Sequence, residues 1–252
     1  MAALFTFFTG CNVHVYKSNN FFGNPGWPFI FNVMIIEMCI AVLFYLVYGT
    51  TDFLTGLHNV RIPIHFSFET ALPFWPSMTL VYVSLFPAFF LTKFIIRDKK
   101  SIKALAWTLA LETVLAGMMF LLIPAETAYP IPKDLGGWSV LFTAADVANL
   151  TYNLVPSLHV TYTITLAAAF AKCARSYVKA IVWIWAVLMV MATLLTHQHH
   201  IVDVIAGFLF AAAMYKVVLI AYLGPQPTAL TTKLHHFENK TSSFTRKFML
   251  DW

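Results

Sequence analysis

The sequence predicts an all-α, polytopic membrane protein with six transmembrane helices in one bundle. Three observations carry this. Hydrophobic residues make up 60% of the 252 positions and charged ones only 11%, with a mean hydropathy of +0.74, whereas soluble domains are about one-quarter charged. Apolar stretches of roughly twenty residues recur, the length a helix needs to cross a hydrocarbon core about 30 Å thick. Basic residues gather after every second stretch, as they do when alternate connections lie on one side of a membrane.

In chain order, residues 1–26 mix Phe, Asn and Gly without an arginine. Their apolar part, residues 2–10, is too short to span and has no charged leader, which predicts an interfacial segment rather than a cleaved signal. The first span is expected over residues 28–48. A polar connection over 49–74 carries Asp52, His58, Arg61, His65 and Glu69. Trp75 opens the second span, 76–96, which stops at Arg97-Asp98-Lys99-Lys100; the third covers 102–123. Residues 124–155 read as a loop, because Pro124, Pro130 and Pro132 break helices. The fourth span starts at Pro156 and ends near residue 171, before Lys172, Arg175 and Lys179. The fifth is 180–196 and the sixth 201–223, closed by Gly224-Pro225-Gln226-Pro227. Residues 1–227 thus form the membrane domain, and 228–252 a basic tail with Lys233, Lys240, Arg246 and Lys247.

The basic clusters after spans two, four and six share one side, which the positive-inside rule makes cytoplasmic. The connections after spans one, three and five then face outward. The net charge of +5 is accounted for by this topology, and no nucleic-acid partner is expected. Cys11, Cys39 and Cys173 lack metal-like spacing and read as packing residues. Glu37 and Glu112 fall inside spans, where helix-to-helix hydrogen bonding is the favoured reading.

Two outward-facing stretches carry the chemistry. In Pro156-Ser157-Leu158-His159 a proline, a hydroxyl and an imidazole stand at a helix start. Proline is favoured there, and the free N–H groups suit an anion such as phosphate. An imidazole beside such a site can protonate a leaving oxygen. In His197-Gln198-His199-His200-Ile201-Val202-Asp203, three histidines precede a carboxylate. With His199 in the first turn of the following helix, His199 and Asp203 share a face. A carboxylate-oriented neutral imidazole is a competent nucleophile toward phosphorus. His200, three positions from Asp203, competes for the same carboxylate, and spacing alone leaves the choice open. The cluster also admits a non-enzymatic reading as a Zn²⁺ or Cu²⁺ site. Carriers, however, place their ligands on broken helices near the bilayer midplane, not at helix ends.

Residues 155–160 followed by 196–207 resemble the type-2 phosphatidic acid phosphatase (PAP2) superfamily. More narrowly, they resemble its inositolphosphotransferase-like and bacterial lipid phosphatase branch, with a likeness to sphingomyelin synthases. The resemblance implies a multi-pass enzyme of a bacterial inner membrane with its site on the non-cytoplasmic face. It further implies that a lipid phosphate is cleaved through a phosphohistidine, with neither cofactor nor metal. Carried over, it makes His199 the nucleophile, Asp203 its orienting partner, His159 the acid and later the base, and Ser157 a phosphate ligand. The family's lysine and arginine before a proline correspond here to residues 123–133, which keep the prolines and Tyr129 but lack that arginine. Its Ser-Arg ahead of the nucleophile falls on Ala192-Thr193. Lys133, Arg61, Ser157, Tyr129 and His197 or His200 are therefore the expected substrate-binding groups. With fewer fixed cations, the site also suits a phosphodiester monoanion, which makes head-group transfer to a lipid alcohol the alternative reaction.

Overall fold

A computed structural model describes residues 25–130, 132 and 134–223, the last five as backbone. Residues 1–24 of the expected interfacial segment 1–26, Lys133 and the basic tail lie outside the described residues. The chain is helical almost throughout: α1 Trp27–Gly56, α2 Thr79–Val83, α3 Leu85–Ile95, α4 Lys99–Leu122, α5 Ser139–Asn149, α6 Leu158–Cys173, α7 Ser176–Leu195 and α8 Ile201–Leu223. Two short strands, β1 Ile62–Pro63 and β2 Ala125–Glu126, pair in parallel with Ile62 opposite Ala125.

Among the described residues, five segments are long and apolar enough to cross a membrane: 27–56, 76–95, 99–122, 176–195 and 201–218. Their outward surfaces are apolar, with Phe31, Met38, Phe90, Trp107, Ile184 and Leu209 exposed, as lipid contact requires. The protein is an integral membrane protein. The expected fourth span is present as α6, but at 16 residues it is the shortest of the expected set, and twelve of those residues are buried. It is the hub of the bundle rather than part of its rim.

Three boundaries differ from the sequence reading. Helix α1 continues eight residues past 48, because no proline interrupts it and its polar residues find partners. Asp52 Oδ1 accepts from the Thr151 and Tyr152 N–H groups at 3.1 and 2.6 Å, and Thr55 Oγ1 donates to the Phe120 carbonyl at 3.3 Å. The second span is broken at Ser84 into α2 and α3. Pro87 explains the break, since its ring clashes with the carbonyl four residues upstream; the Ser84 N–H bonds instead to Val81 O. The expected loop 124–155 contains a helix, α5, in its proline-free second half.

Intramembrane acids tie the helices together. Thr165 donates to Glu112 at 2.6 Å, joining α6 to α4, and Lys93 donates to Glu37 at 2.7 Å, joining α3 to α1. One end of the bundle gathers the C-termini of α1 and α4, the N-termini of α6 and α8, and helix α5. That end holds both histidine motifs.

Candidate active site

Helix α6 begins one residue after Ser157, whose side chain accepts from the Val160 N–H at 3.4 Å as the N-cap. Pro156 therefore stands just outside the helix, not at its first position. Helix α8 begins at Ile201, which puts His200 at its N-cap and His199 one residue before it. This differs from the expected first-turn placement of His199, yet the pairing with Asp203 persists: His199 Nδ1 lies 3.4 Å from Asp203 Oδ2. The same oxygen accepts from the His200 N–H at 2.9 Å, so Asp203 both caps the helix and faces the His199 ring. His199 is held from behind. Its N–H and that of Gln198 both donate to the Thr193 carbonyl at 3.1 Å, and His197 turns the chain with φ of 56°, a conformation uncommon outside glycine.

The two motifs meet through backbone contact. The Ser157 N–H donates to the Asp203 carbonyl at 3.1 Å, and Thr161 Oγ1 reaches the Gly207 carbonyl at 3.1 Å. Gly207 permits this approach, since a Cβ there would stand 2.6 Å from Ser157 O. The rings of His159 and His199 consequently face each other with centroids 6.4 Å apart.

A hydrogen-bond chain, not anticipated from the sequence, fixes His159. Its Nδ1 lies 2.9 Å from Tyr82 Oη, and Tyr82 donates to Asn149 Oδ1 at 2.9 Å. Asn149 Nδ2 donates to Gln198 Oε1 at 2.7 Å, and Gln198 Nε2 donates to Asp146 at 3.0 Å. The direction of this chain assigns the tautomer. Because Tyr82 spends its hydrogen on Asn149, its oxygen accepts from Nδ1–H of His159, which leaves Nε2 as the nitrogen without a hydrogen in the neutral ring. Gln198, the one non-histidine within the His197–His200 run, thus links the ring of His159 to the backbone that carries His199.

The remaining expected residues occupy distinct places. His200 uses both ring nitrogens: Nε2 accepts from the Ala128 N–H at 3.0 Å, and Nδ1 donates to Glu69 Oε2 at 2.9 Å. The competition for Asp203 is thereby resolved in this geometry, with the His200 ring turned to Glu69 and only its N–H on Asp203. Tyr129 is stacked between His197 and His200, at 4.1 and 4.4 Å. His197 also contacts the Leu72 carbonyl through Nε2 at 3.1 Å. Burial holds its pKa below the usual imidazole value, against the pull of that carbonyl. The three clustered histidines therefore point to three different partners, and among the described residues no three His, Cys, Asp or Glu side chains converge as a metal site. Arg61 lies over the Tyr152 ring at 4.0 Å, with its Nη1 buried and without a hydrogen-bond partner. His65 Nδ1 and both His199 ring nitrogens are likewise buried without hydrogen-bond partners.

Glu69 is the other residue whose role only the structure shows. It is fully buried and accepts from the N–H groups of Phe66 and Ile201 as well as from His200. Burial alone would raise its pKa; these hydrogen bonds outweigh it and hold the carboxyl below the usual range. Among these groups the sequence offered Glu69 only as one polar residue in a long connection, Asn149 only as the start of the weak glycosylation pattern Asn149-Leu150-Thr151, and Tyr82 carried no periodic or motif signature.

No curated protein and no solved structure matches the chain. A sequence profile described as the PAP2 superfamily matches residues 67–217, more than half of the chain, and spans both histidine motifs together with Glu69, Tyr82, Asn149 and Gln198. The chain belongs to the PAP2 superfamily.

Proposed function

We propose that this membrane protein of the PAP2 superfamily is a lipid phosphatase working through a phosphohistidine on His199, at the non-cytoplasmic face. The observation that carries the reading is the facing pair: His199, 3.4 Å from the Asp203 carboxylate, and His159, across a gap that sets the ring centroids 6.4 Å apart. In the first step His199 Nε2 attacks phosphorus and the P–O ester bond breaks, while protonated His159 gives its Nε2 proton to the departing alcohol. In the second, His159 takes a proton from water, whose oxygen attacks phosphorus; the N–P bond breaks and inorganic phosphate leaves. Buried polar atoms without partners are uncommon, and His199 Nε2 is one of them; a phosphate group in the gap between His199 and His159 would meet it.

Head-group transfer to a lipid alcohol is the second reading. Among the described residues the site's hydrogen-bonding chain from His159, through Tyr82, Asn149 and Gln198, brings no cation to it, and Arg61 stands against Tyr152. Fewer fixed charges suit a phosphodiester monoanion better than a monoester dianion.

Purified full-length protein incubated with alkyl phosphates and with phospholipids distinguishes the two by whether free phosphate or a new lipid appears. His199→Ala is expected to abolish turnover and an acid-labile phosphoprotein. His159→Gln is expected to lower turnover by about 10²–10⁴-fold. Full activity in His199→Ala would sink the mechanism.

A further inference from the structure

The bundle encloses a cavity of about 400 Å³, within the size range of small-molecule sites. One end is polar and belongs to the site just described: His159, Asn149, Tyr82 and Tyr48 line it. Its middle is apolar, walled by residues such as Phe44, Phe89 and Leu109. Toward the other end stand Glu37 and Lys93, an ion pair at 2.7 Å in which Lys93 is only 1% exposed. Lys93 also donates to the Phe90 carbonyl at 2.8 Å, while Glu37 Oε1 is buried with no hydrogen-bond partner.

The cavity also has a side facing the bilayer. Met38 and Tyr45 of α1, and Phe86 and Phe90 of α3, line it and are each more than half exposed on the outer surface. An apolar chain can therefore enter sideways between α1 and α3 without crossing water. Tyr48 and Glu37 are eleven residues apart on α1, or about 16 Å along its axis, which an extended chain of roughly a dozen methylenes covers.

We propose that this cavity takes the hydrocarbon tail of the substrate, threaded from His159 toward the Glu37–Lys93 pair, and that the pair sets the longest tail accepted. The proposal rests on the phosphatase reading for the chemistry at its His159 end. A methyl terminus cannot hydrogen-bond Glu37 or replace its ion pair, so the tail stops short of it. A longer tail must fold back inside packed walls.

The test uses purified full-length protein in lipid nanodiscs. Octyl, dodecyl, hexadecyl and eicosyl phosphates are compared for phosphate release, and a dodecyl phosphate with a photoreactive diazirine at its tail end is crosslinked and mapped by mass spectrometry. The expected label falls on α1, α3 and α4 around Glu37 and Lys93. Turnover is expected to hold through dodecyl and to fall about tenfold by eicosyl phosphate, the cost of overpacking. Ala41→Phe, which fills the cavity one turn above Glu37, should bring that fall down to dodecyl while leaving octyl phosphate unaffected. Ala106→Phe serves the same purpose from α4. Label spread over outward-facing residues such as Trp107 and Leu209, or tail-length profiles unchanged in both variants, would overturn the proposal. Label at the cavity floor without phosphate release from any substrate would keep the tail site and remove the phosphatase reading.

Discussion

In the proposed mechanism, Gln198 and Tyr82 are uncharged residues that position the reacting histidines. Through Asn149 they connect the ring of His159 to the chain segment that bears His199. Tyr82→Phe should remove the acceptor for Nδ1–H and lower kcat by about tenfold, with a shift in the pH profile that a merely structural loss would not give. KM for the phosphate ester is expected to stay near its original value, since Tyr82 positions His159 and is not needed to bind phosphate. Asp203→Asn should cost more, because it removes the orienting charge beside His199 and weakens the cap on the His200 N–H. Steady-state kinetics across pH checks both.

At the scale of elements, the site depends on how closely α6 and α8 approach. Gly207→Ala puts a methyl group where the Ser157 carbonyl lies, and should cost about 1–3 kcal/mol together with most activity, because the His159–His199 spacing widens. Thermal unfolding and turnover measured on the same sample test this. The start of α8 is held differently, by Glu69. Its carboxyl is depressed in the folded state, so its stabilisation is present above the ordinary carboxylate pKa and is lost as pH falls through the folded value. Wild type should therefore lose melting temperature as pH drops below about 4.5, and Glu69→Gln should start lower and flatten that slope. Melting curves between neutral and acid pH decide it.

At the scale of the whole molecule, helices α1, α4, α6 and α8 bring polar ends to one side and leave lipid-facing surfaces around them. The basic cluster Arg97-Asp98-Lys99-Lys100 lies at the opposite end of the bundle, running from the α3–α4 connection into the first turn of α4. If the site faces outward, single cysteines at Gly137, beside α5, should react with a membrane-impermeant maleimide added outside intact cells. Cysteines at Lys100 should react only after permeabilisation. The reverse pattern would invert the topology.

Helical class, membrane insertion and the two histidine motifs followed from the sequence, because hydropathy and run length set membrane partition directly, and because His159, His199 and Asp203 stand in short, local patterns. The broken second span was less visible: Pro87 was there to be read, but its effect depends on packing around Ser84. Helix α5 hid in a proline-bearing loop whose second half contains no proline. Glu69, Tyr82 and Asn149 come from three separate segments, and no local spacing marks a hydrogen bond between residues so far apart in the chain. The assignment of His200 to Glu69 rather than Asp203 belongs to the same class. Sequence determined which side chains could do phosphoryl chemistry, since that is a property of residue type. Tertiary structure decided which nitrogen each presents and what lies behind it, since those depend on where distant segments meet.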